Sequence, residues 1–159
     1  ELMHELEIIS TGYEIISKFA KVIGNIKIIL NSSIILDIIM EECDIELKIR
    51  HRILKLIQNE NDIKLSYDHK NHIRKELNEV YSIPRKNVDK LFKLVKTSGE
   101  INQVKKEIST MKGLVYRKDF LEVLDYFSKL ESYCEWVDIN KNCIYFDFGM
   151  VLQKSHIFY

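Results

Sequence analysis

The residues best suited to chemistry in this sequence are the lysines and arginines between Lys48 and Lys118. That segment holds 18 of the 24 lysines and arginines but only 8 of the 24 aspartates and glutamates, so its formal charge is +10 and that of the remaining chain is −10. A net charge of zero therefore hides a basic segment between two acidic flanks. Clustered cations suit nucleic-acid backbones, because phosphates that they neutralise release counterions.

The candidate phosphate contacts lie on helices predicted within this segment. Lys86, Lys90 and Lys93 recur at i, i+4 and i+7, which places them on one side of a helix. The full candidate set is Lys48, Arg50, Arg52, Lys55, Arg74, Lys75, Arg85, Lys86, Lys90, Lys93 and Lys96. The alternative to phosphate binding is that these residues form a solvated helix face with no ligand, because the lysines of most helices are simply exposed to solvent.

Other residue pairs give weaker signals. His69 and His72 have a spacing that can present two imidazoles to a metal, but only Glu76 offers a further ligand, so we predict exposed histidines and no metal. Trp136 near Tyr133 could stack on a base, although sheet packing is the favoured interpretation. The sequence shows no nucleophile and base pair, no glycine-rich phosphate loop and no carboxylate dyad, so we predict no catalytic residues and no cofactor.

Hydrophobic spacing and turn residues predict the elements that position these side chains. Asn31 to Ser33 can cap a helix, Asn59 to Ser66 suggests a loop, and Ser82 is expected to cap a helix with Pro84 in its first turn. Predicted helices cover residues 5–22, 47–57, 68–80, 84–98, 101–108 and 119–131, and a further helix after Ser33 has Leu36, Ile39 and Met40 on its inner face. Predicted strands cover 26–30 and an antiparallel hairpin of 135–139 with 143–148.

The composition excludes several protein classes. The apolar runs are too short to span a membrane, and the acidic start from Glu1 to Glu7 lacks the features of a secretory signal. Three cysteines leave an odd thiol under any pairing, which favours a reducing compartment and a cytoplasmic location. Because position 1 is not methionine, we expect a fragment of a longer chain.

The order of predicted elements indicates an α/β (α+β) fold with two parts. Residues 1–46 and 119–159 are expected to form a sheet-and-helix portion, and residues 47–118 a basic helical insertion within it.

Several stretches resemble the histidyl-tRNA synthetase family. Residues 28–33 are similar to the family's strand and helix start, residues 82–101 to helices of its insertion, and residues 120–130 and 144–149 to its closing helix and strand. The resemblance implies a fragment of a class II synthetase-like antiparallel sheet domain carrying an all-helical insertion. After Asp147, however, the family's Arg-Gly-Leu-Asp-Tyr-Tyr motif is missing, and with it the charged groups that recognise histidine.

A synthetase-like region whose substrate motif is degenerate resembles the regulatory domains of general-control, amino-acid-starvation kinases. Those kinases phosphorylate the alpha subunit of translation initiation factor two. This resemblance implies a non-catalytic, dimeric domain that binds uncharged tRNA and regulates a kinase domain of the same parent chain. Two alternatives stay open. One is a fragment of a divergent but active histidyl-tRNA synthetase, and the other is a protein-protein dimerisation scaffold.

Overall fold

The computed structural model describes residues 2–62, 67–111 and 113–150. The described residues form a mixed α/β fold that is mostly helical. Its helices are α1 (Leu2–Ser17), α2 (Ala20–Ile23), α3 (Ser33–Glu42), α4 (Leu47–Asp62), α5 (Tyr67–Glu79), α6 (Arg85–Val95), α7 (Ile101–Ile108) and α8 (Lys118–Trp136). Its strands are β1 (Ile28–Leu30), β2 (Ser98–Gly99) and β3 (Ile144–Asp147).

The three strands form one small mixed sheet in the order β1-β3-β2. β1 and β3 run parallel, with Ile28 opposite Ile144 and Leu30 opposite Phe146. The predicted antiparallel hairpin is therefore wrong: the strand that includes residues 144–147 exists, but its pairing partner comes from the start of the chain. Ile29 of β1 is about half exposed, so the strand is also less buried than its β-branched sequence predicts.

The chain divides into two compact units. The first contains residues 1–30 and 99–146, and α8 is its longest helix. α1 and α7 both pack against α8, whose buried side follows a helical spacing of Phe120, Leu124, Phe127, Leu130 and Cys134. The Phe127 ring lies 4.7 Å from that of Phe146, centroid to centroid, which seats the helix on β3.

That helical spacing explains why residues 135–139 are not a strand. The stripe of buried side chains carries α8 on to Trp136, and Asp138 follows at a φ of 60°, in a turn. β-branched and aromatic residues favour strands only weakly, and here the packing of the preceding turns decides the conformation.

The second unit contains residues 31–98 and 147–159. In it α6 packs against α3 and α5, and α5 packs against α4. Ser32 caps α3 by accepting a hydrogen bond from Ile34 N at 3.2 Å, as predicted. α4 continues to Asp62, so the predicted loop is wrong for residues 59–62, and residues 63–66 lie outside the described part of the chain.

The predicted boundaries of the helical insertion, at residues 47 and 118, differ from the boundaries of these units. A division into compact units does not test whether a segment is an insertion, so the insertion stays a prediction. The apolar run from Ile157 to Tyr159, whose sequence suggests a strand, lies outside the described residues. Within the described ranges, no helix is both long and apolar enough to cross a membrane.

Candidate nucleic-acid interface

Helix α6 presents the densest group of candidate phosphate contacts. Its sequence separates apolar from charged side chains completely, because Val88, Leu91, Phe92 and Val95 recur at i, i+3, i+4 and i+7 and are all buried. The helix begins at Arg85, and Pro84, whose ring restricts its φ to −56°, is the N-cap and not a residue of the first turn as predicted. Ser82 does not cap it as predicted, since its φ of 55° places it in a left-handed turn before the helix.

Asn87 anchors this helix to the end of α3. Its side chain is buried, and Nδ2 donates to the carbonyl of Cys43 and to Oδ2 of Asp44, both at 3.0 Å. A buried amide needs such partners, because an unsatisfied one costs free energy. This contact ties the first turn of α6 to the end of α3, and the buried apolar stripe determines which side of the helix faces solvent.

The solvent side of α6 is almost entirely cationic. At about 100° per residue, its non-buried residues fall within an arc of about 140°. Asp89 and the half-buried Lys90 lie in this arc with four exposed cations, Arg85, Lys86, Lys93 and Lys96, which we call the α6 cationic face. None of these four forms an ion pair with any described residue.

Five other predicted contacts are paired within the protein. Lys90 Nζ donates to the carboxylate and to the carbonyl of Glu42, both at 2.8 Å. The side chain of Arg50 is only 14% exposed, lies 3.6 Å from Asp37 and 3.7 Å from Glu41, and donates from Nε to the carbonyl of Ile45. The remaining pairs are Lys48–Glu46 at 2.5 Å, Arg74–Asp89 at 3.3 Å and Lys75–Glu79 at 3.8 Å.

These pairs follow from the composition of the unit. Residues 31–98 carry 13 lysines and arginines but also 11 aspartates and glutamates, so the acidic stretch from Asp37 to Glu46 shares a unit with the basic helices. The formal charge of residues 31–98 is therefore only +2. The ability of this unit to bind an anion depends on which of its cations are exposed and unpaired. Lys90 and Arg50 serve these internal contacts and are not available to a ligand at the surface.

The candidates on α4 form a separate group. Lys48, Arg52 and Lys55 recur at i, i+4 and i+7 and are exposed, and Arg52 and Lys55 form no ion pair with the described residues. They extend the exposed positive charge of the unit. None of them lines the cavity that the structure contains between α5 and α6.

That cavity was not predicted from the sequence. It has a volume of about 220 Å³ and is lined by Asn71, Arg74, Lys75, Asn78, Arg85, Val88 and Asp89. The sequence contains a pattern that could have identified the cavity. The four α5 residues that line it recur at i, i+3, i+4 and i+7, which places polar side chains on one face of the helix.

The other candidate sites give mixed outcomes. Trp136 is 80% exposed at the end of α8, with its ring centroid 5.2 Å from that of Tyr133, so the prediction that it packs in a sheet is wrong. His72 is exposed, whereas the side chain of His69 lies outside the described residues. No three histidine, cysteine, aspartate or glutamate side chains gather for a metal ion anywhere in the described residues.

The three cysteines are free thiols. Burial raises the pKa of Cys43 to about 12 and that of Cys134 to about 11, so both are almost wholly protonated at neutral pH. Buried neutral thiols are poor nucleophiles, and these two behave as small core residues.

Comparison with protein-family models and with curated proteins found no match to this chain.

Proposed function

We propose that this chain is a non-catalytic, histidyl-tRNA-synthetase-like regulatory domain that binds uncharged tRNA through its phosphates and regulates a linked kinase domain acting on translation initiation factor two alpha. The observation that carries the RNA-binding part is the α6 cationic face. Its four side chains are exposed and free of ion pairs with described residues, so binding a phosphate would not require breaking an internal contact. The tRNA and kinase parts depend on the sequence resemblance.

The chemistry suits RNA because helical RNA is recognised largely by shape, phosphate and 2′-hydroxyl contacts. Flexible lysines provide charge without demanding a fixed base geometry. Four phosphate contacts would make the logarithm of the affinity fall with the logarithm of salt concentration with a slope of about −3 to −4.

The test is a charge reversal on this face with a matched control elsewhere. The variant K86E/K93E changes two exposed cations of α6, and K105E/K106E makes the same charge change at two exposed lysines of α7. We expect K86E/K93E to weaken tRNA binding by about 30-fold near 0.15 M salt and to flatten the salt slope by about 1.5 to 2, because each lost contact is worth roughly fivefold there.

K105E/K106E should change both quantities much less, and circular dichroism should show both variants folded. Equal losses in the two variants would mean that only net charge matters, and an unchanged affinity of K86E/K93E would refute the interface. Histidine-dependent exchange of pyrophosphate into ATP by the full-length parent protein would instead favour the active-synthetase alternative.

The scaffold alternative has one observation in its favour. Five apolar side chains of α1 and the segment that follows it are between 44% and 86% exposed: Ile8, Ile15, Ile16, Phe19 and Val22. An exposed apolar stripe of this kind is typical of a protein-protein contact. Self-association that persists after nuclease treatment and is lost in the variant I15E/F19E, with no tRNA binding by the intact chain, would favour this function over the first.

A further inference from the structure

The cavity between α5 and α6 has the composition of a small anion site. Three cations, Arg74, Lys75 and Arg85, line it against the single carboxylate of Asp89, and Val88 contributes an apolar surface. The Asn71 amide adds donors and an acceptor, whereas the Nδ2 of Asn78 already donates to the carbonyl of Ile83 at 2.8 Å. Its volume of about 220 Å³ is smaller than a typical pocket for a drug-sized ligand but exceeds that of several water molecules.

Arg74 is held in place before any ligand arrives. Its Nη1 lies 3.3 Å from Oδ1 of Asp89, and its guanidinium carbon lies 5.0 Å from the centroid of the Phe92 ring. Stacking and pairing together restrict the fork of a guanidinium, which still has donors left because it carries five N–H groups. A restricted arginine loses less conformational freedom when it binds an oxyanion.

The other two cations can respond to a ligand. Arg85 has no ion pair with any described residue, and it is the first residue of α6, where the helix dipole favours an anion. Lys75 is paired only loosely, at 3.8 Å from Glu79, and both side chains are more than 60% exposed. An entering anion therefore gains two cations without breaking a strong contact.

We propose that this cavity binds a single phosphate group, and that in the RNA complex it holds one backbone phosphate in a fixed position. Guanidinium groups recognise phosphate through paired hydrogen bonds, which gives the cavity a geometric role that the flexible lysines of α6 lack. The identity of the group that carries the phosphate rests on the proposed function, whereas phosphate binding itself does not.

The test titrates the full chain with inorganic phosphate at constant ionic strength, with chloride as the reference anion, and follows the backbone amides by NMR. We expect saturable shifts of residues 71–78 and 85–89 with phosphate and none with chloride. The variant R85Q should weaken phosphate binding by about tenfold, since it removes a charge-assisted contact. N71D, which places a carboxylate at the cavity without changing a buried residue, should weaken it similarly.

K93Q is the matched control, because Lys93 lies on α6 but does not line the cavity. It should leave phosphate binding unchanged while weakening tRNA binding. Absent or non-saturable shifts, or equal losses in R85Q, N71D and K93Q, would overturn the cavity assignment even if tRNA binds as proposed. Saturable, R85Q-sensitive phosphate binding in a chain that does not bind tRNA would support the cavity and refute the proposed function.

Discussion

Replacing Asn87 by alanine tests how α6 is anchored, since this side chain ties the first turn of the helix to the end of α3. The substitution removes two hydrogen bonds of 3.0 Å, one to a backbone carbonyl and one to the carboxylate of Asp44. A neutral bond contributes about 1 kcal/mol and a bond to a charged group about 1.5 to 3 kcal/mol, and Asp44 is exposed, which favours the lower end. We therefore expect a loss of about 2 to 3 kcal/mol in the free energy of unfolding.

Urea unfolding followed by far-ultraviolet circular dichroism measures this loss. N71A is the matched control, because Asn71 is an exposed asparagine in α5 of the same unit and its side chain makes no hydrogen bond with the described residues. Its stability should stay within about 0.5 kcal/mol of the parent. If N87A lost less than about 1 kcal/mol, the contact would not hold the start of α6 against α3, and the reasoning about this anchor would be refuted.

Two glycines should respond in opposite directions to alanine. Gly99 has a φ of 144°, and a Cβ there would come within 2.6 Å of Gln103 Oε1, so G99A should destabilise the protein by about 1 to 3 kcal/mol. Gly12 lies within α1, where a Cβ would meet nothing within 4 Å, so G12A should stabilise it by about 0.5 to 1 kcal/mol. Thermal or urea unfolding checks both, and a shift of the same sign in the two variants would contradict the local geometry.

Local periodicity predicted much of the fold. α6 could be predicted because its buried positions recur at helical spacing. The cap that Ser32 provides for α3 could be predicted because a polar residue lies directly before an apolar run. The strand predicted at residues 135–139 is wrong because local preference and packing disagree there. Trp136 and Val137 favour a strand locally, but Leu130 and Cys134 continue the buried stripe of α8 and the helix extends to Trp136.

The candidate site was only partly predictable, because ion pairs join residues that are distant in the sequence. Lys90 and Glu42 are 48 residues apart, and no spacing rule connects them. The segment from Lys48 to Lys118 has a formal charge of +10, but in the folded chain α3, which carries Asp37, Glu41 and Glu42, packs against α6. Which cations remain unpaired depends on how helices pack, and the sequence pattern does not contain that information.

Contact between RNA and the α6 cationic face can be measured by lysine acetylation of the intact chain with and without uncharged tRNA, read residue by residue by mass spectrometry. We predict that tRNA slows the modification of Lys86, Lys93 and Lys96 several-fold and leaves the modification of Lys105 and Lys106 nearly unchanged. Equal protection of all five lysines, or protection of the α7 pair alone, would contradict it.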